Sequence, residues 1–393
     1  MDFTRTTSQR ALREEYFQAG RDLVRPGAAE RDAAGTFDRG LWQRVAATGL
    51  LGLHLPGEVG GRGLPPWDAV AAFEGFAAGC EDAGFLVALL AHAGLVQASL
   101  SSFGTPEQQM RWLPGLVNGS LIGCFAITEK ECGSDVRAIR LSATPEPDGA
   151  WRLNGAKWNI TNAPVADVCL TFAKVAGRVS KPVGAFLTDL RTPGVTRSAP
   201  FDLMGHRTTP IGALTFENHR VSPDGVIGDP RRGLRILDFA FGVERVLTGI
   251  GIASCLEPVI EECLRYVQER EAFGHPIGEY QYVQGHIVEM AAGMELLRST
   301  AWRAMDALLR GEECSSLASV VKLHAAETFH RATVNAVRVF GNHGYRRGGV
   351  IERFCRDGVG ILLAGGTSEI HRNIIWRNLK HRPSSGRAVD QAI

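Results

Sequence analysis

Helical spacing at both ends of the chain, with hairpin spacing only in its middle, constrains the fold more than any other feature of the sequence. From about residue 8 to 119 apolar residues recur three and four apart, as in Phe85, Leu86, Leu89, Leu90 and Leu95. Gly104-Thr105-Pro106-Glu107 sets an N-cap before a proline at the first helical position, and the glycine-rich stretch 56–66 reads as a loop. Between roughly 121 and 229 short aromatic and β-branched runs take over. Asp148-Gly149 and Asn154-Gly155 serve as hairpin signals there, and 167–175, 183–190 and 212–221 are candidate strands. After Gly233 the helical period returns, through Phe239, Val243, Val246, Leu247 and Ile250, and persists almost to the end.

This order predicts an α+β protein, mostly α. An N-terminal helical domain over 1–120 precedes a central antiparallel, β-barrel-like domain over 121–232 and a C-terminal four-helix bundle over 233–393. The order lacks the βαβ alternation of a doubly wound nucleotide-binding sheet, and the Gly249-Ile250-Gly251 fragment lies inside a helix with no strand before it, so any nucleotide must be held another way. The 43 basic and 42 acidic residues nearly cancel, which removes a global field towards nucleic acid or an anionic membrane. Eight scattered cysteines form no C-x-x-C pair and no metal-ligand spacing. No signal pattern opens the sequence, and no uninterrupted apolar run approaches the roughly 18 residues of a membrane span. A reduced, cytoplasmic protein without a metal is expected, with a frayed tail from Arg382 onward.

Five blocks then carry a resemblance. Ala126-Ile127-Thr128-Glu129-Lys130-Glu131-Cys132-Gly133-Ser134-Asp135 stands where helices give way to strands. It is followed by Asn154-Gly155-Ala156-Lys157-Trp158-Asn159-Ile160-Thr161-Asn162, Arg270-Glu271-Ala272-Phe273-Gly274, Val339-Phe340-Gly341-Asn342-His343-Gly344-Tyr345, and Arg356-Asp357 leading to Gly366-Thr367-Ser368-Glu369-Ile370. In content and order these blocks resemble the acyl-CoA dehydrogenase family, whose fold is the helix, sheet, helix arrangement above. The resemblance implies FAD as cofactor. It places Phe125, Thr128, Gly133, Ser134, Asn159 and Thr161 along the flavin, where hydroxyls and backbone N–H groups would meet its polar edges. It also implies that Arg270, Phe273 and Gln281 reach the FAD of a neighbouring subunit, and that Arg338, Asn342, Thr367 and Glu369 contribute to the same cofactor. A homo-oligomer, dimer or tetramer, follows. Arginine suits a pyrophosphate because its charge is permanent and its donors are planar.

Most relatives carry a catalytic Glu immediately before the Gly-Thr of the last block, whereas this chain reads Ala364-Gly365-Gly366-Thr367. Val243-Glu244-Arg245-Val246 matches instead a subset resembling isovaleryl- and long-chain acyl-CoA dehydrogenases, which carry the base on the helix after the β domain. Abstracting a proton alpha to a thioester needs a carboxylate among apolar groups, which Val243, Val246 and Leu247 would provide, with desolvation raising its pKa. Glu244 is therefore the expected base and Arg245 a substrate-binding neighbour. Gly365 is the expected oxyanion donor through its backbone N–H, and its missing side chain frees volume for a branched or cyclic acyl group.

The implied reaction is α,β-dehydrogenation of an acyl thioester carried by CoA or by a phosphopantetheinyl carrier protein. Arg178 and Lys181 are available in a Gly/Pro-flanked loop to meet either carrier. Relatives often place an aromatic where Asn159 stands. Trp158 faces the other way if strand alternation holds, so the acceptor is either an electron-transfer flavoprotein or O2. Two further readings stay open: a flavin monooxygenase or nitroalkane-oxidase-like enzyme on the same fold, and a non-catalytic flavin-binding homologue.

Overall fold

The computed structural model describes residues 4–176 and 182–381; Arg178, Lys181 and the tail from Arg382 lie outside the described residues. Seven helices come first: α1 (Thr7–Ala19), α2 (Ala28–Ala34), α3 (Arg39–Ala46), α4 (Pro66–Cys80), α5 (Ala83–Leu89), α6 (Ala98–Phe103) and α7 (Pro106–Val117). The signals read around α7 act as expected. The Thr105 hydroxyl accepts from Gln108 N–H, the Gln108 side chain accepts from Thr105 N–H, and Pro106 takes the first helical position. Between α5 and α6, Leu90–Gln97 winds as a π-helix instead of continuing the α-helix.

The sheet strands are β1 (Gly123–Ala126), β2 (Ser142–Pro145), β3 (Trp151–Thr161), β4 (Val168–Val175), β5 (Val183–Asp189), β6 (Val195–Arg197) and β7 (Ile211–Val221). They form one sheet in the order β1-β4-β2-β3-β7-β6, with β5 on β4. The antiparallel expectation holds for β2 with β3, β3 with β7, β4 with β5 and β6 with β7. It fails at β1 and β2, which both run parallel to β4, so the sheet is mixed and is not a closed antiparallel barrel. Both strands lie along β4, β1 against Val168 to Thr171 and β2 against Lys174 and Val175, so the chain between them is pushed out as a loop. That loop carries Thr128, Gly133 and Ser134. Asn154-Gly155, expected to turn a hairpin, lies inside β3. Gly155 sits at a register shift with φ +133°, and a Cβ there would come within 2.9 Å of Leu141 Cα, so its glycine serves close packing and not a turn.

The chain then enters α8 (Gly233–Glu269), the short hairpin β8 (Glu271–Ala272) and β9 (His275–Pro276), α9 (Gln281–Leu309), α10 (Ser315–Phe340), α11 (Val350–Leu363) and α12 (Ser368–Lys380). The first and last thirds share a single core. Trp42, Phe76 and Phe85 pack in one cluster with Ile250, Leu256, Phe329 and Phe354. By length and composition the stretches Ala83–Phe103 and Gly233–Glu269 are apolar enough to cross a membrane, yet 83% and 72% of their most apolar windows are buried inside this fold. Buried at every position from Thr248 to Leu256, α8 is a central helix.

Candidate active site

Glu244 stands in the third turn of α8. Four residues on, the Thr248 hydroxyl donates to Glu244 Oε1 at 2.8 Å, which fixes the carboxylate in one rotamer. The other oxygen, Oε2, is buried and has no hydrogen-bond partner. A carboxylate oxygen withdrawn from water without a donor costs free energy, so it requires a reason beyond packing.

The second element arrives from the end of α11. After Leu363 the backbone leaves the helix at Ala364 and passes through two left-handed residues, Gly365 at φ +66° and Gly366 at φ +97°. Only glycine adopts such angles in succession without strain. A Cβ built at Gly365 would lie 3.1 Å from Glu244 Oε2, 3.3 Å from Oε1 and 3.2 Å from Lys322 Cε. The two places where the sequence could hold a base thus converge on one point. Thr367 then caps α12, its hydroxyl accepting from Ile370 N–H.

On the sheet side, Phe125 of β1 is buried against Phe172, with ring centroids 4.9 Å apart, and against Phe241, at 5.8 Å. Phe241 lies one turn before Glu244, so β1 and the candidate base share a wall. Arg245, expected at the substrate, is buried with its guanidinium 5.2 Å from the Phe241 ring centroid; burial pushes its pKa down, while Glu244 and Asp238 pull it up. The surroundings of Glu244 are thus less apolar than expected: two cations, Arg245 and Lys322, face it.

The loop after β1 is braced from below by a buried ion pair. Lys157 of β3 donates to Glu129 at 2.8 Å and to the Ile127 carbonyl at 2.9 Å, and Glu129 also accepts from the N–H groups of Arg140 and Leu141. Burial opposes the Glu129 charge, but Lys157 and these donors outweigh it and hold the carboxyl below its usual range. Trp158 N–H donates to the Thr128 carbonyl at 2.9 Å, bringing β3 against the loop. The strand bulges there: Asn159 is left-handed at φ +55°, between register positions Lys157 and Ile160. Strict alternation therefore does not govern Trp158 and Asn159, contrary to the sequence argument. Trp158 is half-buried, 5.0 Å from the Phe201 ring and 5.7 Å from the Lys130 ammonium, while Asn159 is exposed.

The structure places Gly365 against Glu244, sets Phe125 and Arg245 on the Phe241 ring, and brings the Thr128 carbonyl to Trp158, the neighbour of Asn159; Gly133 and Ser134 share the Thr128 loop, Thr161 ends β3, and Thr367 and Glu369 follow Gly365 along the chain. It does not bring Arg270, Phe273, Gln281, Arg338 or Asn342 to them. Arg270 caps the far end of α8, 26 residues from Glu244, roughly 40 Å along the helix. There Tyr266 stacks on Phe340 at 4.2 Å, which places Arg270, Arg338 and Asn342 at one end of the bundle, all exposed. Phe273 occupies the β8–β9 turn at φ +55°, followed by Gly274 at +84°, and is 95% exposed. Sequence reasoning missed the Glu129–Lys157 brace, Lys322 and His371. Lysines inside helical and strand patterns read as solvated charges, and only the fold shows them buried.

Three family models match the chain in succession: "Acyl-CoA dehydrogenase, N-terminal domain" over 6–120, "Acyl-CoA dehydrogenase, middle domain" over 124–219 and "Acyl-CoA dehydrogenase, C-terminal domain" over 231–380. Among curated relatives, an L-prolyl-[peptidyl-carrier protein] dehydrogenase of Pseudomonas fluorescens is 32% identical over 86% of this chain and 90% of its own. A mitochondrial isovaleryl-CoA dehydrogenase of Solanum tuberosum is 32% identical over 95% of this chain and 90% of its own. Among solved structures, the prolyl acyl carrier protein oxidase AnaB superposes with a TM-score of 0.92 at 29% identity, covering 96% of this chain and all of that one. The FAD complex of PigA gives the same TM-score at 27% identity, over 98% of this chain and all of that one.

Proposed function

Since the chain belongs to the acyl-CoA dehydrogenase family, we propose that Glu244 is the base of its reaction and that its substrate is a small, branched or cyclic acyl group on a phosphopantetheinyl carrier protein. The enzyme is an FAD-dependent oxidoreductase that dehydrogenates acyl thioesters. The residues at the site fit that cofactor. An added Cβ at Gly133 would meet nothing within 4 Å, Ser134 beside it is exposed, and the Thr128 loop is held open by the Lys157–Glu129 brace. FAD, when bound, supplies the acceptor for the hydride that leaves the β-carbon.

The chain's own residues do the rest. Thr248 occupies Oε1, so Oε2 is the oxygen that takes the α-proton. The pair left on the α-carbon becomes the α,β double bond as the β-hydrogen departs with its electrons. In this reading the Gly365 N–H polarises the thioester carbonyl, a role that needs no side chain. The observation that carries the proposal is the unpartnered, buried Oε2 standing 3.1 Å from where a side chain at position 365 would begin.

Support for a carrier-borne substrate comes from the prolyl-carrier dehydrogenase and the AnaB structure, and from the space left by glycine at 365. We also propose a homo-oligomer, dimer or tetramer, supported by the bulky Phe273 held left-handed and uncovered. A cytoplasmic location is supported by eight unpaired thiols, including Cys124 and Cys169, which are register partners across β1 and β4. Anaerobic mixing with acyl-CoA and acyl- or aminoacyl-carrier panels tests the proposal. Carrier thioesters should bleach the flavin, and Glu244→Gln should stay yellow with FAD bound. Bleaching by CoA thioesters alone would remove the carrier, and a Gln variant reduced at the wild-type rate would remove the base.

A second reading concerns the acceptor. Asn159, exposed in its bulge, leaves no aromatic ring at the position relatives use, which favours O2 over an electron-transfer flavoprotein. Slow re-oxidation of the reduced enzyme by air, with fast re-oxidation by the flavoprotein, would reverse it.

A further inference from the structure

Lys322 is a buried charged group that the reaction as described does not use. It is 1% exposed, in the second turn of α10. Its position follows from a close approach of two helices: a Cβ on Gly249 of α8 would fall 2.2 Å from Val321 Cγ1, so α10 lies against α8 at that level. One residue on, the Lys322 side chain reaches the carbonyl end of α11 and donates to Ile361 O at 2.9 Å. There it satisfies one of the helix's unpaired carbonyls and meets the negative end of its dipole. Three residues further the chain enters the Ala364 to Gly366 turn, where Lys322 Cε and both Glu244 oxygens lie 3.1 to 3.3 Å from the same point.

We propose that Lys322 is a positioning residue for the base: its ammonium, behind the Gly365 turn, holds Glu244 as the carboxylate and sets its basicity, beyond capping α11. The inference rests on Glu244 being the base. Among the described residues, four charged or titratable groups surround Lys322. From α8 come Glu244 and Arg245, from α12 His371, and from the loop before β7 His206. Burial, with help from Arg245 and Lys322, pushes His371 down to about 3, and burial with Lys322 pushes His206 to about 4, so both rings are neutral near pH 7. Burial and the Arg245 charge bring Lys322 itself down to about 8, against the pull of Glu244. Near that pH Lys322 gives up its proton to solvent and the carboxylate becomes a stronger base.

The test uses the FAD-loaded enzyme and the carrier thioester that bleaches it fastest. Wild type should show flavin reduction rising near pH 8. Lys322→Met removes charge and cap; Lys322→Gln keeps a donor for the Ile361 carbonyl and removes only the charge. Both should lose that rise. The Glu244 carboxyl resonance of [5-13C]glutamate-labelled enzyme without substrate, assigned by its loss in Glu244→Gln, should move as Lys322 loses its proton near pH 8 and should lack that step in both variants. A Lys322→Gln enzyme with the wild-type titration and profile would overturn the proposal, leaving Lys322 a helix cap. If Glu244→Gln instead reduces at the wild-type rate, the base assignment falls, while the resonance titration still decides whether Lys322 controls that carboxyl.

Discussion

The two ends of α8 differ in what a single chain completes. Around Glu244 the helix is enclosed: α10, the end of α11 and the π-helix surround a carboxylate whose Oε2 has no hydrogen-bond partner and faces the Gly365 turn. Around Arg270, roughly 40 Å away, the same helix ends among exposed groups, with Phe273 and Tyr282 uncovered at 95% and 93%. The proposed base lies in the enclosed region, whereas Arg270, Phe273, Arg338 and Asn342 lie on an exposed one. The contrast explains why residues from one sequence motif set divide into two clusters that cannot touch in one chain.

The strongest break of this contrast is Glu244→Gln. It should slow flavin reduction by about 10²–10⁴-fold, the range of a lost general base, without changing oligomeric state by light scattering; a fall in both would tie the two ends together. Next is pH, which should act on the enclosed region. Asp357 of α11 is pushed up to about 7 by burial, although it accepts from His206 N–H. Its folded pKa exceeds its unfolded one, so its contribution to stability is present below about pH 4 and is lost as pH rises to about 7, up to about 4 kcal/mol. Asp357→Asn should flatten that slope in urea titrations across the window. Gly249→Ala should then cost roughly 1–3 kcal/mol by wedging α8 from α10, read from the same titrations. The smallest effect on chain stability belongs to Phe273→Ser at the open end. Its midpoint should stay within about 0.5 kcal/mol of wild type, while association weakens and FAD is released on dilution; unchanged assembly would refute the open-end role.

Much of the enclosed end was legible in the sequence. The order of helices and strands followed from periodicity and the N-cap at Thr105 from residue types, and the motif position left empty at Gly365 pointed to the residue that the fold sets beside it, Glu244. What stayed hidden depends on contacts across the fold. Leu90–Gln97 has the composition of an α-helix, and its wider winding is set by tertiary packing, with Gly94 3.8 Å from Glu244 Cα at the point of a Cβ. Asn154-Gly155 resembled a turn because a turn and a bulge both recruit a glycine at unusual φ. The pairing of Lys157 with Glu129 joins β3 to the loop after β1, distant in sequence, and the burial of Lys322 depends on where α10 meets α8.

The geometry at Gly365 also bears on how such a site could have changed hands. A lineage that restored a glutamate at 365 while keeping Glu244 would press two like charges into one spot and force a Cβ onto a left-handed backbone. One that first lost Glu244 would pass through an inert protein. Moving the proposed proton acceptor between α8 and the turn after α11 would therefore take two changes at once, since either change alone leaves a crowded or a base-less site.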